Sequence, residues 1–128
     1  MKKQIEQVRR FHDAFGIKNN YSPHAVLESD VIDLRHRLMH EENEEYLEAC
    51  KNGDLVEIAD ALGDMMYILC GTILSHGLQD KMEDIFEEIQ RSNMSKLGAD
   101  GKPLYREDGK ILKGPNYFKP NIKKYLDY

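Results

Sequence analysis

At 128 residues the chain is long enough for one hydrophobic core and too short for two independent ones, so a single domain spanning 1–128 is expected. A hydrophobic fraction of 41% excludes disorder throughout, and a net charge of −5 with a pI near 5.5 leaves no basic footprint for duplex nucleic acid. The two cysteines, Cys50 and Cys70, lack CxxC spacing and so exclude a zinc ribbon or a disulfide framework; they are expected to be reduced packing residues in a cytoplasmic protein.

The chain opens on Met1-Lys2-Lys3-Gln4-Ile5-Glu6, which runs into charged helical sequence with no apolar leader. Ile5, Val8, Phe11, His12 and Phe15 recur at helical spacing before Gly16, which predicts an amphipathic helix over 2–15 with a glycine stop. Residues 16–29 read as a connecting loop, in which Ser22-Pro23 carries the residue types that start a short turn of helix.

A second helix is predicted from Ser29 or Asp30 to Lys51, with Leu34, Leu38 and Ala49 on one stripe and Asn52-Gly53-Asp54 ending it. A third starts at an Asp54 cap and ends before Gly77. It carries Leu55, Ala59, Leu62, Met66 and Leu69 on one face and Ala61, Met65, Ile68 and Thr72 on another, as a helix in the centre of a bundle does. Its most apolar stretch, Ala61 to Ser75, contains Asp64 and falls short of the roughly 20 residues of a bilayer span, so no membrane partner is expected.

The fourth helix, expected over 80–97, places Met82, Ile85, Phe86 and Ile89 on one face. Short breaks between helices two, three and four favour antiparallel neighbours in an all-α, four-helix bundle. Beyond Gly98 the composition changes to Gly, Pro, Lys and Tyr, and Asp108-Gly109 between Leu104-Tyr105-Arg106 and Lys110-Ile111-Leu112 is a hairpin signal.

The anomaly that points to chemistry lies in helices two and three, where acidic residues occupy stripes that ought to be apolar. Leu34, Leu38, Glu42, Glu45 and Ala49 fall three to four residues apart with Glu41 beside them; Glu57, Asp60 and Asp64 share a face continuing into Ile68 and Thr72. Carboxylates converging at a helix seam repel and lose hydration unless something compensates. Mg²⁺ or Mn²⁺ compensates directly, since hard cations take carboxylate oxygens, while the absence of histidine and thiolate from these stripes argues against zinc. The competing reading is an ordinary solvated acidic face, to which Glu44 and Glu48 belong. On helix four, Asn93 and Lys96 continue the apolar stripe, either to meet a base or phosphate or because the stripe ends at Ile89.

Glu41-Glu42-Asn43-Glu44-Glu45 followed by Glu57-Ile58-Ala59-Asp60 resembles the EExxE…ExxD signature of the all-α NTP pyrophosphohydrolases, the MazG-like superfamily that includes phosphoribosyl-ATP pyrophosphohydrolase and the dimeric dUTPases. The blocks RLMHEENEE, ALGDMMYILCGTILSHGL and SNMSKLGADGKPLYREDGKILKGPNYFKP resemble its phosphoribosyl-ATP pyrophosphohydrolase-like branch. The resemblance implies a metal held by Glu42, Glu45, Glu57 and Asp60, with Glu41 as a further ligand or as base for water, and hydrolysis of a (d)NTP to (d)NMP and pyrophosphate. In some members the ExxD aspartate directly precedes the apolar run, a place held here by Asp64 with Ala61 where glutamate would stand, so Asp60 and Asp64 are both candidate ligands.

Cations for the triphosphate must come from outside the acidic cage, and Lys96, Lys110 and Lys113 are the candidates. A homodimer or homotetramer is expected, because so small a bundle buries limited area and the resembling family is oligomeric. Two rivals are phosphoribosyl-ATP hydrolysis in histidine biosynthesis and a non-catalytic metal-binding or interaction bundle. The latter lacks the Glu-x-x-His pairs that di-iron bundles use.

Overall fold

The computed structural model describes residues 1–126. Four α-helices and one short 3₁₀ turn make up the regular structure, and among the described residues there is no strand beyond a single antiparallel bridge. The fold is all-α. The chain separates into two compact units, Met1–Asp80 and the residues from Lys81 onward, with the division ahead of the fourth helix.

In the first unit, α1 (Lys2–Ala14) buries Ile5, Val8 and His12, whose spacing of three and four residues makes one helical face. Phe11 and Phe15, expected on that stripe, are instead 40% and 69% exposed; Phe11 meets Tyr67 edge-on at 5.5 Å. Gly16, at φ 71°, ends the helix.

No helical turn forms at Ser22-Pro23. The reason lies at the far end of α3 (Leu55–Ser75), whose last carbonyls have no partner within the helix. The loop donates to them: Asn20 N to Leu74 O at 2.9 Å, Asn20 Nδ2 to Ser75 O at 2.6 Å and His24 N to His76 O at 2.9 Å. Gln79 Nε2 in turn donates to Asn20 O at 2.7 Å. Winding 22–25 into a helix would withdraw the His24 N–H from His76 O.

α2 (Ser29–Lys51) begins where expected, but Glu28 is its N-cap and provides no side-chain cap; Asp30 Oδ1 accepts from the adjacent Val31 N. α3 is capped as predicted, Asp54 Oδ1 accepting from Glu57 N at 3.1 Å. Asp54→Ala should therefore cost about 1 kcal/mol, measured as a shift in the denaturant midpoint with unchanged slope.

α3 packs against both α1 and α2 and is the central helix of this unit. At 21 residues it is long and apolar enough to cross a membrane on length and composition alone, so the shorter stretch 61–75 understated it. It buries Ala61, Cys70, Gly71, Ile73, Leu74 and Ser75, while the second apolar face is open: Leu55 is 77% exposed, and Leu62 and Met66 are each 47% exposed. Cys70 is buried as expected; Cys50 is exposed and is not a packing residue.

In the second unit, α4 (Met82–Met94) is shorter than the 80–97 span expected, and its buried residues are Ile85, Glu88 and Ser92 rather than Phe86, which is 67% exposed. Polar partners explain the rotated face. Glu88 Oε2 accepts from Asn121 N at 2.8 Å, Glu88 Oε1 accepts from Arg91, and Ser92 Oγ donates to Phe118 O at 2.9 Å. These contacts pin the tail to α4, and the Asn121 amide, ahead of Arg91, holds the Glu88 carboxyl below its ordinary range. The predicted hairpin is present: Tyr105 bridges Ile111, Arg106 N donates to Lys110 O, and Gly109 takes φ 85° at the turn.

Candidate functional site

Glu42 and Glu45 stand one helical turn apart on α2, and Asp64 faces them from the paired α3. One oxygen from each of the three lies within 4.8 Å of the others, the only such acidic focus among the described residues. Glu42 and Asp64 are half-buried and Glu45 is exposed, so the focus sits at the edge of the α2–α3 seam.

The electrostatics of this arrangement are unfavourable without a cation. Glu42 Oε2 is buried with no hydrogen-bond partner among the described residues. Burial, then the hydrogen bond and charge of Glu45, then the charges of Asp64 and Asp60 push the Glu42 carboxyl up to about 7. Asp64 is raised as well, by burial first and then by Asp60 and Glu45. Three acceptors sharing one point, one of them orphaned, fit a hard divalent cation, whose charge would remove each of these penalties.

A stability prediction follows from the sign of the Glu42 shift. Its folded-state value lies above the ordinary 4.5, so the folded protein holds a proton that the unfolded chain releases. Metal-free protein should lose stability as pH rises from about 4.5 to about 7 and level off above, within the window that Glu42 defines. Melting curves of the wild type minus those of Glu42→Gln isolate this contribution: the difference should become more negative as pH rises through this window, saturating Mg²⁺ should remove it, and a difference that becomes more negative toward acid pH would contradict it.

The other residues singled out in the sequence fall outside this tight group. Asp60 is exposed and near enough to raise both Glu42 and Asp64, yet its oxygens are not among the three that converge. Glu57 is exposed in the first turn of α3, where its backbone N–H is taken by Asp54. Glu41 is exposed, with Oε1 3.8 Å from Arg37 Nε. Asn93, Lys96, Lys110 and Lys113 belong to the second unit; Lys96 is half-buried, and Lys113 Nζ lies 4.9 Å from the Tyr117 ring centroid.

The sequence reading missed two buried charges, Arg35 and Glu88. Arg35 lies seven residues before Glu42, two turns away on the same side of α2, and that phase was the available signal.

The model of the phosphoribosyl-ATP pyrophosphohydrolase family matches residues 8–93, and the chain belongs to that family. A solved structure from Exiguobacterium sp. 255-15, provisionally named an NTP pyrophosphohydrolase, is similar over 97% of this chain and 94% of its own, with a TM-score of 0.55 and 23% identity. That likeness carries the fold alone, which is all-α; the family match places the chain in the MazG-like superfamily. No curated protein matches the sequence. Family membership makes the chain a hydrolase of the pyrophosphohydrolase type, acting on a phosphoanhydride.

Proposed function

We propose that this chain is a Mg²⁺-dependent nucleoside triphosphate pyrophosphohydrolase that converts a (d)NTP and water to (d)NMP and pyrophosphate and cleans the cytoplasmic nucleotide pool. The observation that carries the reading is the orphaned, buried oxygen of Glu42 inside a three-carboxylate focus. Glu42, Glu45 and Asp64 are the ligands we assign, with Asp60 and Glu57, one and two turns earlier on α3, completing the cage as the phosphates enter. Bound Mg²⁺, or Mn²⁺ in its place, would supply Lewis acidity toward phosphate oxygens and lower the pKa of a bound water.

Glu41, exposed beside Glu42 with Oε1 3.8 Å from Arg37 Nε, is the base we assign to accept a proton from the attacking water. Asn93, Lys96, Lys110 and Lys113 are assigned to the nucleotide, the lysines as counter-charges for the triphosphate that an acidic cage cannot provide. The open α3 face of Leu55, Leu62 and Met66 supports a homodimer or homotetramer in which a second copy covers it.

Phosphoribosyl-ATP is the second reading, favoured by the family whose model matches residues 8–93. The experiment is pyrophosphate release with Mg²⁺ across the canonical and damaged (d)NTPs and phosphoribosyl-ATP. Release from one or more (d)NTPs is expected. Turnover of phosphoribosyl-ATP alone moves the assignment to histidine biosynthesis, and release from none of them makes the bundle a metal binder rather than this enzyme.

A further inference from the structure

Arg35 is 9% exposed, and its Nε is buried without a hydrogen-bond partner. Its Nη2 and the Nε2 of His12 crowd against Gly71: a Cβ added there would lie 3.0 Å and 2.9 Å from them. His12 cannot neutralise it. Burial lowers the imidazole's affinity for a proton, and Nδ1 is engaged with Asn19 Oδ1 at 2.7 Å, so the ring offers no negative charge. A desolvated guanidinium with no anionic partner among the described residues is costly to hold, and a bound anion would offset that cost.

Arg35 also lines a cavity of about 350 Å³ between the 17–28 loop, the start of α2 and the end of α3. The walls are mainly apolar, from Ile17, Leu27, Val31 and Leu34, with Lys18 adding a second cation. The loop over it is held in place by the hydrogen bonds of Asn20 and His24 to the end of α3, so the space belongs to a built part of the fold. Glu28 lies in the lining as well, and a carboxylate there opposes a triphosphate or other polyanion.

We propose that this cavity is a binding site for a small organic carboxylate, a monoanion with an apolar body, whose charged end is received by the Arg35 guanidinium. The guanidinium fork matches a carboxylate in shape and charge, and the apolar walls take the rest of the molecule. Seven residues, about 10 Å along the helix, separate Arg35 from Glu42. The proposal rests on Arg35 and its cavity and uses nothing from the carboxylate focus on which the hydrolase reading stands.

Calorimetric titration of the intact protein with benzoate, its neutral isostere benzamide, inorganic phosphate and uridine tests it. Saturable benzoate binding is expected, with benzamide and phosphate at least about tenfold weaker. Arg35→Leu should lose benzoate binding. Val31→Phe fills the cavity while keeping the guanidinium and should weaken it at least about tenfold, so the test survives if Arg35→Leu fails to fold. The proposal is overturned if benzoate shows no saturable binding, if benzamide or phosphate binds as well as benzoate, or if Val31→Phe binds benzoate as the wild type does. Uridine binding as tight as benzoate's would also overturn it, by making the cavity a nucleoside pocket.

Discussion

Replacing Glu42 by glutamine is expected to reduce pyrophosphate release by at least about a hundredfold while raising the melting temperature of the metal-free protein. The two effects share one cause. Glu42 is the member of the carboxylate focus that carries a buried, unpartnered oxygen, and its proton affinity is raised by burial and by Glu45, Asp64 and Asp60. A neutral amide removes the repulsion that strains the metal-free fold, and with it the charge that makes the focus attractive to a cation. Opposite signs on activity and stability distinguish a functional carboxylate from a structural one, whose loss would lower both. The check is a Mg²⁺-saturated rate assay paired with melting curves in chelator. A Glu42→Gln protein that turns over normally, or melts well below the wild type in chelator, would contradict the account.

Gly77→Ala is expected to produce the largest loss of stability among conservative substitutions in the first unit. Gly77 has φ +67°, a left-handed conformation that L side chains rarely adopt, and a Cβ built there would lie 2.1 Å from the backbone oxygen of Ser22. Backbone cannot swing aside as a side chain can, so the clash must be relieved by shifting the loop off the end of α3. Left-handed strain and overpacking together should cost about 2–5 kcal/mol. Gly53→Ala is the control: φ is +62° there as well, but nothing lies within 4 Å, so only the backbone cost of about 1–2 kcal/mol remains. Denaturant titration of both variants separates the two contributions, and equal losses would show that the Ser22 contact plays no part. Because the displaced loop carries Asn20 and His24, which satisfy the α3 carbonyls, amide exchange at the end of α3 should accelerate in Gly77→Ala alone.

The α2–α3 pair was legible because local chemistry sets it. Asp54 caps, the Asn52-Gly53 break stops α2, and acids at helical spacing identify the two stripes without tertiary information. Which acid of α3 meets Glu42 was not legible. Glu57, Asp60 and Asp64 lie three and four residues apart and share one phase, so only the axial register of α3 against α2 selects Asp64. The 17–28 loop was opaque for a related reason. Its Ser-Pro pair is locally suited to a helix, but the carbonyls of Leu74, Ser75 and His76, more than fifty residues away, take the donors of Asn20 and His24. Glu88 and Arg35 do not stand out in the sequence, because their partners, or the lack of them among the described residues, exist only in the folded chain. Phe86 shows the converse, an aromatic on the expected apolar face that the tail's polar anchoring to Glu88 and Ser92 leaves open.

The most direct measurement is an anomalous difference map from crystals of the protein soaked in Mn²⁺. The account predicts a peak bonded to carboxylate oxygens of Glu42, Glu45 and Asp64, lost in Glu42→Gln crystals soaked identically. Manganese bound elsewhere, with these three carboxylates clear of it, would contradict the claim that the α2–α3 acids converge to hold a metal.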